Sequence, residues 1–330
     1  HAAIRASLGE SPMYSGAITG RGPRYCPSIE DKVTRFPEKD QHQLFLEPEG
    51  LSTHRIYVNG TSTSLPAHAQ DAMIHSIEGL ESAVIEQYGY AVEYDFVDPT
   101  QLTPTLEWPV LPGLFFAGQV NGTSGYEEAA AQGLVAGVNA AGMPLVFGRD
   151  EACIGVMIDD LTQRGVGGEP YRMFPSRCEH RLVLREDNAD RRLMPRAREV
   201  GLLGDGAWTR FEKKAFEIAA LSARAPASLR RPEVFAADLF PDADPEVAEQ
   251  VEIDVKYAGY VVREGQRQDQ TRRLASVSLA GIDFSSIDAL SIEARERLAR
   301  ACPATLADAA RVPGVTPAAI QTLTMVLIRL

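Results

Sequence analysis

The chain has 330 residues, 45% hydrophobic and 24% charged, and a net charge of −12 from 45 Asp and Glu against 33 Lys and Arg. That composition belongs to a folded globular protein with room for two domains, and the acidic total excludes a protein that coats nucleic acid through its overall field. Apolar runs stay short of the roughly 18–20 residues a bilayer span needs, and the start, HAAIRASLGESPMYSG, lacks a signal-type apolar stretch. Cys26, Cys153, Cys178 and Cys302 have no CxxC spacing. Neither a metal site nor a disulfide framework is expected, and free thiols fit a cytoplasmic protein that does not engage a membrane.

Near the start, GPRYCPSIEDKVTRF, Gly22 to Phe36, places Cys26 between Tyr25 and Pro27. Pro27 suits the first position of a helix through SIEDKVTRF. A thiol at such a helix start would be favoured as thiolate by the dipole. Arg24 and Lys32 would assist and Glu30 and Asp31 would oppose. Cysteine is also among the most buried residue types, so local chemistry alone favours a structural thiol.

Four β-type runs follow, HQLFLEPEG, HRIYVNG, YAVEYDFV and PGLFFAGQ, which read as strands separated by loops and one or two helices. The last leads into Leu114–Gly142, LFFAGQVNGTSGYEEAAAQGLVAGVNAAG. There an apolar strand enters a loop with Gly118, Gly122 and Gly125, then a small-residue helix whose start is marked by Ser124 and Glu127 in capping-box spacing. Glycines let backbone approach a ligand closely, and free N–H groups at a helix start favour an anionic or electron-rich partner. A tight strand-to-helix crossover without ligand is the alternative. The G-x-G-x-x-G fingerprint is absent from the chain.

From about Glu151 the texture becomes helical, as in EVGLLGDGAWTRFEKKAFEIAALSARA, VAEQVEIDVKYAGYVVREGQRQDQ and SIEARERLARA. A boundary is expected near residues 145–155, and a second near the prolines 226, 232, 241 and 245. Between them, Tyr171 to Arg198 holds eight arginines against four acids. Arginine suits bidentate phosphate contact, and Tyr171, Phe174 and His180 could stack on bases. A helical face tied by Arg–acid pairs, as in REDNADRR, fits equally well, and His180 reads as a polar surface or core residue. The end, ATLADAARVPGVTPAAIQTLTMVLIRL, predicts a helical hairpin with Thr316 as cap and Pro317 at the first helical position.

Three of these segments together, GPRYCPSIEDKVTRF, LFFAGQVNGTSGYEEAAAQGLVAGVNAA and EPYRMFPSRCEHRLVLREDNADRRL, resemble the MnmG (GidA) family of tRNA uridine 5-carboxymethylaminomethyl modification enzymes. HQLFLEPEGL, NGTSTSLP, VEIDVKYAGY and VPGVTPAAI extend the likeness over most of the chain. The resemblance implies a flavoprotein that binds FAD, uses NADH and takes a one-carbon unit from methylenetetrahydrofolate. With a GTPase partner, MnmE, in a heterotetramer built on a homodimer, such an enzyme modifies carbon 5 of the tRNA wobble uridine.

By the same resemblance, Cys26 is catalytic. The NAD-associated segment comprises Gly22, Pro23, Arg24, Tyr25, Pro27, Ser28, Ile29, Glu30, Asp31, Lys32, Val33, Thr34, Arg35 and Phe36. Gly118, Gln119, Asn121 and Gly122 form the FAD loop, and Arg172, Arg177, Arg181 and Arg185 meet tRNA. Pro175, Cys178 and His180 depart from the usual pattern of the arginine-rich segment. Lacking G-x-G-x-x-G, the chain looks like the C-terminal half to two-thirds of the enzyme and is expected to hold FAD weakly or not at all by itself.

The expected fold is α/β: the later portion of a Rossmann-like FAD/NAD-binding domain over 1–150, then a mainly α-helical region. Residues 151–245 are expected to form an Arg-rich, tRNA-facing linker, and 246–330 a helical domain for tRNA and the GTPase. Two other functions fit the same residues, a non-catalytic module that binds tRNA or the partner, and a generic FAD- and NADH-dependent oxidoreductase.

Overall fold

The computed structural model describes residues 1–18, 27–166, 169–275, 277–312 and 314–329. The chain divides into two units: His1–Phe147 with Cys153–Phe174, and Gly148–Ala152 with Pro175–Leu330.

The first unit contains α1 (Ala2–Ser7), α2 (Ile29–Arg35), the strands β1 (Phe45–Pro48) and β2 (Ile56–Asn59), then α3 (Ala67–His75), α4 (Tyr126–Ala140) and α5 (Cys153–Arg164). Short helices persist because each buries one stripe. In α2, Ile29 and Val33 lie one turn apart and are buried, and in α3 Ala69 and Met73 repeat that spacing. With Ile4, Leu65 and Ile74 they form one core. A second core gathers Leu102, Leu106, Val135, Met157, Leu161 and Tyr171. Leu106 is fully buried with φ +66°. The left-handed conformation costs a residue with a Cβ about 1–2 kcal/mol, which burial of a leucine side chain, about 1.5–3 kcal/mol, offsets.

Strands β1 and β2 pair antiparallel, Phe45 opposite Asn59 and Pro48 opposite Ile56, and make the only sheet among the described residues. The other two expected strands form no ladder, and PGLFFAGQ opens in a turn and ends in a 3-10 turn. In YAVEYDFV the apolar residues alternate in sequence but burial does not, since Tyr90, Val92, Tyr94 and Phe96 are exposed along with Glu93 and Asp95. It is tied to another segment at its end, where Val97 N–H donates to the Val120 carbonyl. In PGLFFAGQ a single antiparallel bridge joins Phe115 to Glu107. A strand needs neighbours to take its N–H and C=O groups, and these two runs find too few among the described residues.

The second unit is helical, with α6 (Ala189–Glu199), α7 (Asp205–Ser222), α8 (Ala236–Leu239), α9 (Pro245–Ala275), α10 (Ile292–Ala301), α11 (Leu306–Arg311) and α12 (Pro317–Arg329). The helical pattern that opens at Glu199 is split between two helices, because α6 ends there and the chain passes through Gly201, at φ +73°, before α7 begins. One core joins Ile218, Leu221, Leu229, Val247 and Val251, and another joins Leu279, Phe284, Leu298, Leu306 and Leu323. Helix starts are set locally. Ser291 Oγ accepts from Ala294 N–H, Thr305 and Asp308 close a capping box, and Thr316 Oγ1 accepts from Ala319 N–H with Pro317 first in α12. Among the described residues no helix is long and apolar enough to cross a membrane, and no cluster of three or more potential metal ligands occurs.

Candidate functional site

The glycine loop is one turn of 3-10 helix, Gly118–Asn121, entered from extended Ala117 and left through Gly122. Gly118 and Gly122 have φ of +86° and +82°, the region that favours glycine. A Cβ on Gly122 would lie 2.6 Å from Val166 Cγ1 and 2.7 Å from Phe96 Cε2, so protein side chains already fill that face. At Gly118 the nearest such atom is Ala129 Cβ at 3.5 Å.

Helix α4 starts differently from its sequence pattern. Its N-cap is Gly125, without a side-chain cap, so the expected Ser124/Glu127 box is not made. Glu128 takes that place instead: buried, its Oε1 accepts from Met173 N–H at 2.9 Å, and its carboxylate would collide with a Cβ on Gly125. A negative charge of the chain itself therefore already faces the positive end of the helix.

Beneath the loop sits a buried amide network. Gln132, fully buried on α4, accepts at Oε1 from Gly118 N–H (3.1 Å) and Asn121 Nδ2 (2.9 Å), and donates from Nε2 to Thr123 Oγ1 (3.0 Å) and the Glu128 carbonyl (3.1 Å). Asn121 Nδ2 also donates to the Phe116 carbonyl at 2.9 Å, and Thr123 Oγ1 donates to the Gly118 carbonyl at 3.1 Å. Two buried atoms of this turn have no protein partner, the donor Gln119 Nε2 and the acceptor Asn121 Oδ1. Leaving such groups unpaired costs about 1–3 kcal/mol each. A ligand that offers a carbonyl to the first and an N–H to the second meets that demand, as the ring edge of a flavin does.

Of the segment 22–36, Gly22, Pro23, Arg24, Tyr25 and Cys26 lie outside the described residues. The helix begins two residues later than Pro27 suggests, at Ile29 with Ser28 as cap. Its first amides are taken: Ser28 N–H donates to Asp31 Oδ2 (3.2 Å), Asp31 N–H to Ser28 Oγ (3.1 Å) and Ile29 N–H to the Ser62 carbonyl (2.7 Å). Lys32 Nζ donates to the Gly60 carbonyl at 3.2 Å, Thr34 Oγ1 to the Glu30 carbonyl at 2.8 Å, and Val33 is core. Glu30 is fully buried, with Oε1 accepting from Ser64 N–H (2.9 Å) and Oγ (3.2 Å). Tyr14 donates its hydroxyl to Asp31 Oδ1 at 2.9 Å; burial, then the Asp31 contact, raise its pKa against the lowering effect of Thr34. Arg35 and Phe36 are exposed.

The arginine-rich stretch separates into side chains spent on the fold and side chains at the surface. Arg185 grips Asp187 with two bonds (2.7 and 2.9 Å) and lies 5.5 Å from the Tyr257 ring centroid. Arg191 grips Asp254 (2.6 and 2.8 Å), Arg192 reaches Asn188 Oδ1 and the Glu151 and Arg185 carbonyls, Arg196 pairs with Glu151, and Arg198 pairs with Asp205. For these five the reading as internal ties holds. Arg172, Arg177 and Arg181 are exposed. Arg181 makes no hydrogen bond or ion pair with the described residues.

Of the three candidate stacking residues, Tyr171 is buried and donates its hydroxyl to Asp160 Oδ2 at 2.9 Å. His180 is buried with its Nδ1 2.8 Å from Glu264 Oε1, a core pair between residues 84 apart. Phe174 alone is exposed, with the Arg172 guanidinium 6.0 Å from its centroid. Sequence reading missed Glu264, the Arg149–Glu179 pair and Gln132. The first two depend on distant partners, whereas Gln132 carried a local signal as a lone amide among the small residues of AAAQGLVAG.

Three family models match the chain: "Glucose inhibited division protein A" over residues 1–145, the tRNA modifying enzyme MnmG/GidA C-terminal helical domain over 205–265, and the C-terminal helical bundle of the same enzyme over 267–330. The chain belongs to the MnmG/GidA family. It is 49% identical to a tRNA uridine 5-carboxymethylaminomethyl modification enzyme MnmG of Syntrophotalea carbinolica, with 100% of this chain and 59% of that protein covered. It is 48% identical to the enzyme of the same name from Geobacter metallireducens, covering 99% and 59%. A GidA structure from Aquifex aeolicus, 46% identical, matches with a TM-score of 0.74 over 99% of this chain and 58% of that one. The chain thus spans under two-thirds of the length of these MnmG/GidA relatives.

Proposed function

We propose that this chain is part of a cytoplasmic, FAD-dependent enzyme that modifies carbon 5 of the tRNA wobble uridine, using NADH and methylenetetrahydrofolate and acting as a homodimer with the GTPase MnmE. The observation that carries the reading is near-50% identity along nearly the whole chain to proteins named for that modification. The orphaned Gln119 Nε2 and Asn121 Oδ1 support the flavin part, because they present a buried donor and a buried acceptor on one glycine turn.

In this reading residues 1–150 belong to the α/β flavin domain, 151–245 to the tRNA-facing linker and 246–330 to the domain that meets tRNA and the GTPase. Bound FAD supplies the hydride and one-carbon redox chemistry. Gly118 and Gly122 shape the turn that holds it, with Gln119 and Asn121 as its polar contacts. The segment ending at Phe36 serves NADH, with Ser28, Asp31 and Val33 fixing α2. Cys26 acts on the uracil ring, whose carbon 5 is a poor nucleophile until a group adds at carbon 6; the thiol either makes that addition or relays a proton. Arg172, Arg177 and Arg181, at the surface, are the contacts to phosphate, whereas Arg185 would first have to leave Asp187.

The test uses the full-length protein that carries this chain. Purified, it should show the flavin absorbance spectrum, and Cys26→Ser should keep that spectrum while losing more than about 99% of tRNA modification, the scale expected for removing a covalent catalyst. Unchanged modification by Cys26→Ser would remove the cysteine from the mechanism, and a colourless wild-type protein would overturn the flavin assignment.

A further inference from the structure

We infer that Gln132 is the positioning residue of the flavin loop, the side chain that holds Gln119 and Asn121 in place to meet the ring; the inference rests on the flavin reading above. A primary amide offers two donors and two acceptor lone pairs, and in Gln132 all four are used, by Gly118 N–H, Asn121 Nδ2, Thr123 Oγ1 and the Glu128 carbonyl. Its orientation is unambiguous. A backbone N–H can only donate and a backbone carbonyl can only accept, so Oε1 must face Gly118 and Nε2 must face Glu128.

The same logic fixes Asn121. The Phe116 carbonyl requires its Nδ2, and Gln132 Oε1 takes the second hydrogen, which leaves Oδ1 as the unsatisfied atom. One amide therefore ties the first residue of the turn, its last residue and the threonine beyond it to the first two turns of α4. Neighbouring positions on α4, Val135 and Ala136, are plain apolar core. An apolar residue at position 132 could fill the same space, but it would leave the buried Gly118 N–H without its side-chain partner, a cost of about 1–3 kcal/mol. What the glutamine adds is a rigid turn in which one donor and one acceptor are left over for a ligand.

Two variants of the full-length protein test this. Gln132→Met keeps the shape and removes every hydrogen bond. It should fold, lose about tenfold or more in FAD affinity, which is the scale of one or two lost hydrogen bonds, and show faster amide hydrogen exchange at Gly118–Thr123 in the flavin-free protein. Gln132→Glu keeps the acceptor towards Gly118 but, ionised, sets an oxygen against the Glu128 carbonyl; protonated, it regains one of the two donor bonds that the glutamine makes to Thr123 Oγ1 and the Glu128 carbonyl. Its FAD affinity relative to wild type at the same pH should therefore recover as pH falls from 8 towards 5.

Wild-type affinity and exchange in Gln132→Met would overturn the inference while leaving the flavin reading intact. Should Gln132→Met fail to fold, the glutamate variant decides, and a relative affinity flat with pH overturns the positioning role. A wild-type protein that binds no flavin overturns both.

Discussion

The glycine loop with α4 and the stretch from Arg185 to Arg198 are both dense in polar side chains, and they use them in opposite ways. Around the arginines every cation named there finds an acid or carbonyl of the second unit, Asp187, Asp254, Glu151 or Asp205. Apart from the buried Arg191 Nε, which has no partner among the described residues, the polar groups close on one another, and the segment behaves as a set of staples. Beneath the glycines a single amide is saturated while its neighbours on the turn keep one donor and one acceptor unpaired. Polar density alone therefore says nothing about binding; the supply of internal partners decides, because a buried polar atom without one is a standing cost that a ligand relieves.

The largest effect that would break this contrast lies at Gly122. Gly122→Ala adds left-handed strain of about 1–2 kcal/mol to a methyl group set against Val166 and Phe96, an overpacking cost of about 1–3 kcal/mol. Gly118→Ala meets only the strain, since Ala129 Cβ is at an ordinary 3.5 Å. Chemical denaturation should rank Gly122→Ala well below Gly118→Ala. Equal losses would mean that the closed face of the turn has no energetic role and that both glycines serve only backbone conformation.

A smaller effect sharpens the other side. Glu179 is held by Arg149 through bonds of 2.7 and 2.8 Å. Burial, the largest influence, pushes its pKa up, but the Arg149 hydrogen bonds and charge outweigh it and leave the carboxyl below its ordinary 4.5. Asp187 is likewise lowered, by the Arg185 hydrogen bonds against burial. For a depressed carboxylate the unfolded chain binds the proton more tightly, so the stabilisation is present above about pH 4.5 and is lost as pH falls through the folded value. Glu179→Gln should cost on the order of 1 kcal/mol at pH 7, after allowing for solvent screening of a carboxylate 34% exposed. The deficit should shrink between pH 5 and 3. Parallel acid unfolding of wild type and variant would show the pair to be ornamental.

How far each region could be read from sequence follows the range of the interactions. The cap at Thr316 and the proline at the start of α12 are local, and they stand where the residues suggest. The pairs Arg191–Asp254 and His180–Glu264 span 63 and 84 residues and depend on the fold. Ser124 and Glu127 have the spacing of a capping box, yet Glu128 faces the helix start because Met173 supplies its partner. YAVEYDFV has the alternation of a strand and lacks, among the described residues, the neighbour that would make it one. Local patterns specify what a segment is able to do, and distant partners decide which of its options is taken.

The smallest stability effect belongs to Arg181, and it separates staples from contacts most cleanly. Its side chain is exposed and makes no hydrogen bond or ion pair with the described residues, so Arg181→Ala should leave folding stability within about 0.5 kcal/mol of wild type. Arg191→Ala, which abandons Asp254 in a half-buried setting, should cost about 1 kcal/mol or more. Towards tRNA the order reverses. If Arg181 meets a phosphate, its loss weakens tRNA binding and lowers the slope of log affinity against log salt by about 0.7–0.9, the release of one counterion. Arg191→Ala, measured where the variant is folded, should leave that slope unchanged. A slope that falls with Arg191 and not with Arg181 would invert the assignment of the two arginines, making the paired one the contact and the exposed one mere solvated surface.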